Sequence, residues 1–229
     1  MPKQLFSGVS VCIFDAYGTL FDISGIMVSE AERLQGKAAA LGELWRRKQL
    51  EYSWLRSLMG RHADFWHVTG EALDYAMAAL AIDDPSLRAR LMEHYLAPPI
   101  FADAAPALEA LRVPDGPRLG VLSNGSVTML TAAVSLSGLS PLFDAVLSVE
   151  AAGIFKPHPS AYRVAQDHFS CEPGAVAFIT ANGWDAAGAA AFGFRVAWVN
   201  RTGLPRDGLP GEPGAEVAGL GELPSLLLS

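Results

Sequence analysis

The sequence predicts an α/β fold, a doubly wound and mostly parallel sheet interrupted by a helical insert. Three observations carry that prediction. Short runs rich in β-branched and aromatic residues recur along the chain, and each stops at polar or small residues, which marks strands. Their apolar character is continuous rather than alternating, as expected where both faces of a sheet are covered. Helix-like segments separate most of them, and strand–helix–strand repetition implies parallel crossovers in a Rossmann-like core.

The elements follow in order. The first strand is VSVCIFD (9–15), and roughly a hundred residues of mostly helical character separate it from the second, RLGVLSN (118–124). That interval is an inserted helical cap, assigned to 21–100, with 1–20 and 101–229 forming the core. Its boundaries fall near FDISG (21–25) and LAPPIFAD (96–103), where paired prolines interrupt helix. A helix from Ser126, closing at Gly138, precedes the third strand, DAVLSV (144–149). PSAYRVAQDHF, opened by Pro159, leads to AVAFIT (175–180), and FRVAWVN (194–200) follows. The Gly- and Pro-rich tail reads as surface loop with a last short strand at 216–220. No internal repeat is present.

Within the insert, LGELWRRKQLEYSWLRSLMG (41–60) allows a wheel argument at about 100° per residue. Leu41, Leu44, Trp45, Tyr52, Leu55 and Met59 share one face, which is expected to be core. Arg46, Leu50 and Trp54 point to the other side. One cation with two large apolar groups is an unusual solvated surface. It fits either a surface or dimer contact, or a helix roofing a cleft.

Composition narrows the partners. With 229 residues, 51% hydrophobic and 18% charged, the chain is long enough for one large domain or a core plus an insert. A net charge of −7, with dispersed acids, offers no footprint for nucleic acid or anionic membrane. An anionic substrate would need a local positive pocket. Cys12 and Cys171 form neither a disulfide framework nor metal spacing, so a reduced, cytoplasmic setting is expected. MPKQLFSGVS lacks signal-peptide anatomy, and no apolar run approaches the ~18 residues of a membrane span. The five histidines, His62, His67, His94, His158 and His168, have no metal-ligand spacing and are read as non-catalytic.

In open α/β sheets, ligands bind beyond the carboxyl ends of the strands where strand order reverses. Four strand ends carry polar groups here: Asp15 with Tyr17 and Thr19; Ser123-Asn124-Gly125; Lys156 in GIFKPHPSAY; and Thr180, Asn182, Trp184 and Asp185 in ITANGWDAAGA. Each alone has a structural explanation as a turn, a cap or a solvated charge. Four at successive strand ends point to one site.

This constellation resembles the haloacid dehalogenase superfamily, and within it the L-2-haloacid dehalogenases. The resemblance rests on FDAYGTLFD (14–22), LWRRKQLEYSWLRSLMGRHADFW (44–66), LSNGS (122–126), FKPHPSAY (155–162) and NGWDAAGAAAFGFRVAWVNR (182–201), in order along nearly the whole chain. Phosphatases of the superfamily use DxDxT, with a second Asp as acid and an acid pair for Mg²⁺. Here Tyr17 takes the second position and TANGWD offers only Asp185, so a metal-free, cofactor-free site is expected.

The resemblance implies that Asp15 attacks the halogen-bearing carbon of a short (S)-2-haloalkanoic acid, giving an ester that water hydrolyses to the (R)-2-hydroxy acid. It further implies that Lys156 and Thr19 hold Asp15, that Asp185 fixes Lys156, and that Thr180 and Asn182 position the water or the lysine. Ser123 and backbone amides after Asp15 would bind the substrate carboxylate. Arg46, Asn124 and Trp184 would receive the halide; Leu50, Phe65, Tyr17 and Trp184 would wall the substrate side chain, with Tyr162 a nearby hydroxyl. Thr180-Ala181-Asn182 departs from the SSN of many relatives, keeping a hydroxyl and adding a methyl. Arg47 either adds positive charge near the mouth or faces solvent. Relatives commonly dimerise, so a homodimer is expected. A phosphatase, or a non-dehalogenating relative that binds an unknown acid, are the alternatives.

Overall fold

The computed structural model describes residues 6–228; the segment 1–5, part of the stretch read above for a targeting signal, and residue 229 lie outside them. The described residues form a six-stranded parallel sheet of order β3-β2-β1-β4-β5-β6. β1 is Val11–Phe14, β2 Arg118–Ser123, β3 Ala145–Ser148, β4 Val176–Thr180, β5 Arg195–Val199 and β6 Ala215–Val217. Strand order reverses on either side of β1, so the switch point lies at the carboxyl ends of β1 and β4. Register brings those ends level: Phe14 pairs with Val121 of β2 and with Ile179 of β4.

Six helices separate β1 from β2: α1 Gly25–Ser29, α2 Ala31–Leu34, α3 Ala38–Met59, α4 Phe65–Ala79, α5 Pro85–Leu96 and α6 Ala104–Leu111. The chain leaves and re-enters the sheet region by two adjacent segments: Asp22 N–H donates to Pro99 O at 2.7 Å and Phe101 N–H to Leu20 O at 2.9 Å. Beyond β2 come α7 Val127–Leu136, α8 Pro159–Phe169, α9 Gly183–Phe192 and α10 Leu223–Leu227. Ser126 caps α7 by accepting from Met129 N–H at 3.2 Å, and Pro159 opens α8 in the first turn, where its missing N–H is no loss.

The strands' apolar runs are buried, with two departures from the sequence reading. β3 is an edge strand, so Val146 is exposed where continuous apolar character implied cover on both faces. The last strand is Ala215–Val217 and not 216–220; Leu220 instead begins a short 3₁₀ turn.

The α3 stripe also needs correction. Leu41 and Trp45 are buried, but Leu55 is 43% and Met59 63% exposed, because no element covers that face in the last turns. The buried stripe continues instead through Gln49 and Ser53, polar residues satisfied internally. Gln49 Nε2 donates to Thr69 Oγ1 at 2.7 Å, and Ser53 Oγ to Leu50 O at 2.7 Å.

Candidate active site

Asp15 follows β1 directly, and the turn after it needs a residue with positive φ. Gly18, at φ 90°, supplies it. A Cβ there would make only ordinary contact with Asn182 Nδ2, at 3.7 Å, so the backbone angle is what calls for glycine. Gly125 permits a tighter approach, for a Cβ at that position would meet the Tyr17 ring at 2.9 Å.

The Asp15 carboxylate is almost fully buried and held by four side chains. Oδ1 accepts from Lys156 Nζ at 3.3 Å. Oδ2 accepts from Asn182 Nδ2 at 2.8 Å, Thr19 Oγ1 at 3.2 Å and Thr180 Oγ1 at 3.4 Å. Both hydroxyls are themselves oriented: Thr19 Oγ1 accepts from Ala181 N–H at 2.8 Å, and Thr180 Oγ1 from Asn182 N–H at 3.1 Å. Each therefore has its proton free to donate to Asp15.

Lys156 arrives from the loop after β3, with its backbone N–H on Asn124 Oδ1 at 2.9 Å. Its ammonium, only 1% exposed, bridges Asp15 and Asp185, the latter at 3.0 Å from Oδ2. It also lies 4.7 Å from the Phe178 ring centroid. Tyr162 OH donates to the other Asp185 oxygen at 2.7 Å. Burial is the main force on Asp185, pushing its pKa up to about 6; the Lys156 ammonium opposes the rise and the Asp15 charge adds to it.

A small chamber of about 10 Å³ adjoins Asp15, lined by Tyr17, Arg46, Leu50, Phe65, Ser123, Asn124, Lys156, Asn182 and Trp184. Thus all the candidate catalytic and substrate-binding residues meet at one place, either on the chamber wall or, as for Thr19, Thr180, Asp185 and Tyr162, in the hydrogen-bond net behind it; Trp54 of the roof face does not line the chamber. Arg46 enters from the roof: it donates to Asn182 Oδ1 at 3.3 Å and to Gln49 Oε1 at 2.7 Å. Arg47 is exposed. Asn182 contacts Asp15 and Arg46, while Lys156 is held by the two carboxylates. The Trp184 indole N–H and the Tyr17 hydroxyl are buried without a protein partner.

Sequence reasoning missed the support behind Arg46. Gln49 also accepts from Tyr95 OH at 3.1 Å, so α3, α4 and α5 share one polar net around the arginine. The available signal was a glutamine on the core side of the helical wheel, next to Trp45. None of the histidines lines the chamber; His94 instead joins Arg90 on buried Glu30 at 3.2 Å. Among the described residues, no group of three His, Cys, Asp or Glu side chains is arranged to hold a metal ion.

Comparison with known proteins places this geometry. A family profile described as haloacid dehalogenase-like hydrolase matches residues 9–193. The chain is 39% identical to (S)-2-haloacid dehalogenase 1 of Pseudomonas sp. (strain CBS-3), over 96% of its own length and 97% of the relative's. It is 43% identical to (S)-2-haloacid dehalogenase of Xanthobacter autotrophicus, over 84% and 76%. The solved structure of L-2-haloacid dehalogenase from Xanthobacter autotrophicus with chloropropionic acid covalently bound superposes with a TM-score of 0.89 at 37% identity, covering 96% of this chain and 99% of that one. The chain belongs to the haloacid dehalogenase-like hydrolases and, among them, to the family of (S)-2-haloacid dehalogenases.

Proposed function

We propose that this enzyme converts short (S)-2-haloalkanoic acids to (R)-2-hydroxyalkanoic acids and halide through an ester on Asp15. One observation carries the reading: the Lys156 ammonium sits between Asp15 and Asp185, at 3.3 and 3.0 Å. The ammonium offsets the charge of both carboxylates and fixes the Asp15 side chain. Tyr17 and Asn182 add no carboxylates, whereas Mg²⁺ is usually bound through one or two. The donor set therefore supports metal-independent displacement.

In the first step, an Asp15 oxygen attacks C2 from the side opposite the halogen. A C–O bond forms, the C–X bond breaks, and its electron pair leaves with the halide, inverting the carbon. No general acid is needed. Lys156, Thr19, Thr180 and Asn182 keep the carboxylate aimed. Arg46, Asn124 and the free Trp184 N–H receive the halide as its charge grows in a site closed to water. Ser123 and backbone amides after Asp15 hold the substrate carboxylate, and Tyr17, Leu50, Phe65 and Trp184 enclose its alkyl group. In the second step, water attacks the ester carbonyl, releasing the hydroxy acid and leaving a water oxygen in Asp15. Thr180 and Asn182 are the groups best placed to orient that water. Tyr162 acts through Asp185, which fixes Lys156. The covalent chloropropionic acid adduct of the Xanthobacter autotrophicus relative supports the ester route.

Residues 21–100 are proposed as the cap that carries Arg46, Leu50 and Phe65 over a core of 1–20 and 101–229. The exposed Leu55, Leu58 and Met59 at the end of α3 support a homodimer contact. Two unpaired cysteines support a cytoplasmic setting. Among the described residues no helix is long and apolar enough to cross a membrane.

The deciding assay is halide release from 2-chloropropionate with and without EDTA. Release unaffected by chelation is expected, with negligible hydrolysis of para-nitrophenyl phosphate. Robust metal-dependent phosphate release, with no halide release, overturns the proposal.

A further inference from the structure

The catalytic chamber of about 10 Å³ is no larger than the roughly 10–15 Å³ needed for one water. A haloacid reaches Asp15 only if part of the wall moves. Of the chamber's lining residues, one also lines a second and much larger cavity: Arg46. That cavity, about 540 Å³, lies between the segment 23–31 and α3. Its rim is formed by residues such as Val28 and Ala39, which are exposed, and its floor by buried Trp45, Gln49 and Tyr95 around the Arg46 guanidinium. The lining is largely apolar, with Ile23, Met27 and Val28 on one side. Its other charged side chain is Glu43, which is exposed.

We propose that this apolar vestibule binds the alkyl chain of monocarboxylic acids, with Arg46 as the carboxylate anchor and as the gate between the vestibule and the catalytic chamber. Charge complementarity selects the ligand class: an apolar groove ending in one guanidinium suits an amphiphilic monoanion. The latch is unequal on its two sides. Arg46 holds Gln49 at 2.7 Å, a group fixed in turn by Thr69 and Tyr95, but holds Asn182 only at 3.3 Å. An incoming carboxylate replaces the longer Asn182 contact, and the guanidinium turns with it into the chamber while Gln49 remains its pivot; there the carboxylate passes to Ser123 and the backbone amides, which frees Arg46 for the halide. The inference rests on the dehalogenase reading for the identity of the reacting acid, though not for binding itself.

The test uses non-halogenated acids. Butyrate, hexanoate and octanoate are titrated into the intact protein by calorimetry, and affinity should rise about two- to fourfold per added methylene. Ala39→Phe, which narrows the rim, should weaken octanoate binding by about tenfold or more, a loss of several buried methylenes. Val28→Trp on the opposite rim should act alike, so a folding defect in one variant does not decide the result. In turnover, both variants should lower kcat/KM more than kcat, and more for 2-chlorooctanoate than for 2-chloropropionate. Affinity independent of chain length, or octanoate binding unchanged in both variants, overturns the proposal. So does a groove occupied by a second copy, in which case the variants change oligomeric mass and leave octanoate affinity alone. Failure of the unmodified enzyme to release halide from 2-chloropropionate would instead defeat the functional reading, and the octanoate titrations would still decide this one.

Discussion

Asp15 and Lys156 form part of a buried set of three charges with Asp185, two carboxylates sharing one ammonium. Removing one member of such a set strands the others, at a cost of about 3–5 kcal/mol. The raised pKa of Asp185, about 6, gives the set a pH signature that belongs to the group as a whole. Its folded value lies above the ordinary ~3.9, so the folded state binds the extra proton between those limits. Stability from this source is complete below the lower limit and is lost as pH rises through about 6. Activity runs the other way, because only ionised Asp185 anchors Lys156. Single-turnover displacement should therefore fall as pH drops through about 6, and Asp185→Asn should remove that limb while slowing the step throughout. An unchanged acid limb in the variant assigns it to another group. Arg46 allows a second test at this scale. A charge-assisted contact is worth roughly 1.5–3 kcal/mol, and lysine lacks the planar fork. Arg46→Lys should thus slow displacement on the order of ten- to a hundredfold, more for chloro than for iodo substrates. Exposed Arg47→Lys should be much milder, and equal losses for both would remove Arg46 from the halide.

The element that divides sequence from structure most clearly is α3. Its Arg46, Leu50 and Trp54 face was legible because a cation among large apolar groups does not suit open solvent, and Arg46 and Leu50 do line the chamber. The opposite stripe was misread toward its end: a wheel groups residues by angle but does not reveal where the covering helices stop. Leu55 at 43% and Met59 at 63% exposure follow from that. Leu58→Lys with Met59→Lys should convert the proposed dimer to a monomer in sedimentation, leaving helical circular dichroism intact; unchanged mass excludes this end of α3 from the contact. Gln49, Thr69 and Tyr95 were illegible for another reason. They come from three helices, and their convergence on Arg46 depends on how those helices pack. Val146 shows the same limit in β3, since nothing local distinguishes an edge strand from a central one.

At the scale of the whole molecule, the core was readable because a parallel sheet turns sequence order into geometry. Each apolar run ends at the same side, so Asp15, Ser123 and Thr180 had to converge, and the reversal at β1 sets Asp15 beside Thr180 and Asn182. The helical interval between β1 and β2 then brings Arg46 and Phe65 over the strand ends, closing the chamber from above. If this closed assembly works through an ester on Asp15 rather than by direct attack of water on the substrate, the first turnover places solvent oxygen in the enzyme and not in the product. The most direct test is a single turnover of 2-chloropropionate by excess enzyme in ¹⁸O-water, followed by mass analysis of lactate and of the peptide carrying Asp15. Unlabelled lactate and ¹⁸O in the Asp15 carboxylate are expected for the ester route, with no turnover at all in Asp15→Asn. Labelled lactate in that first turnover, with no label in the peptide, contradicts it.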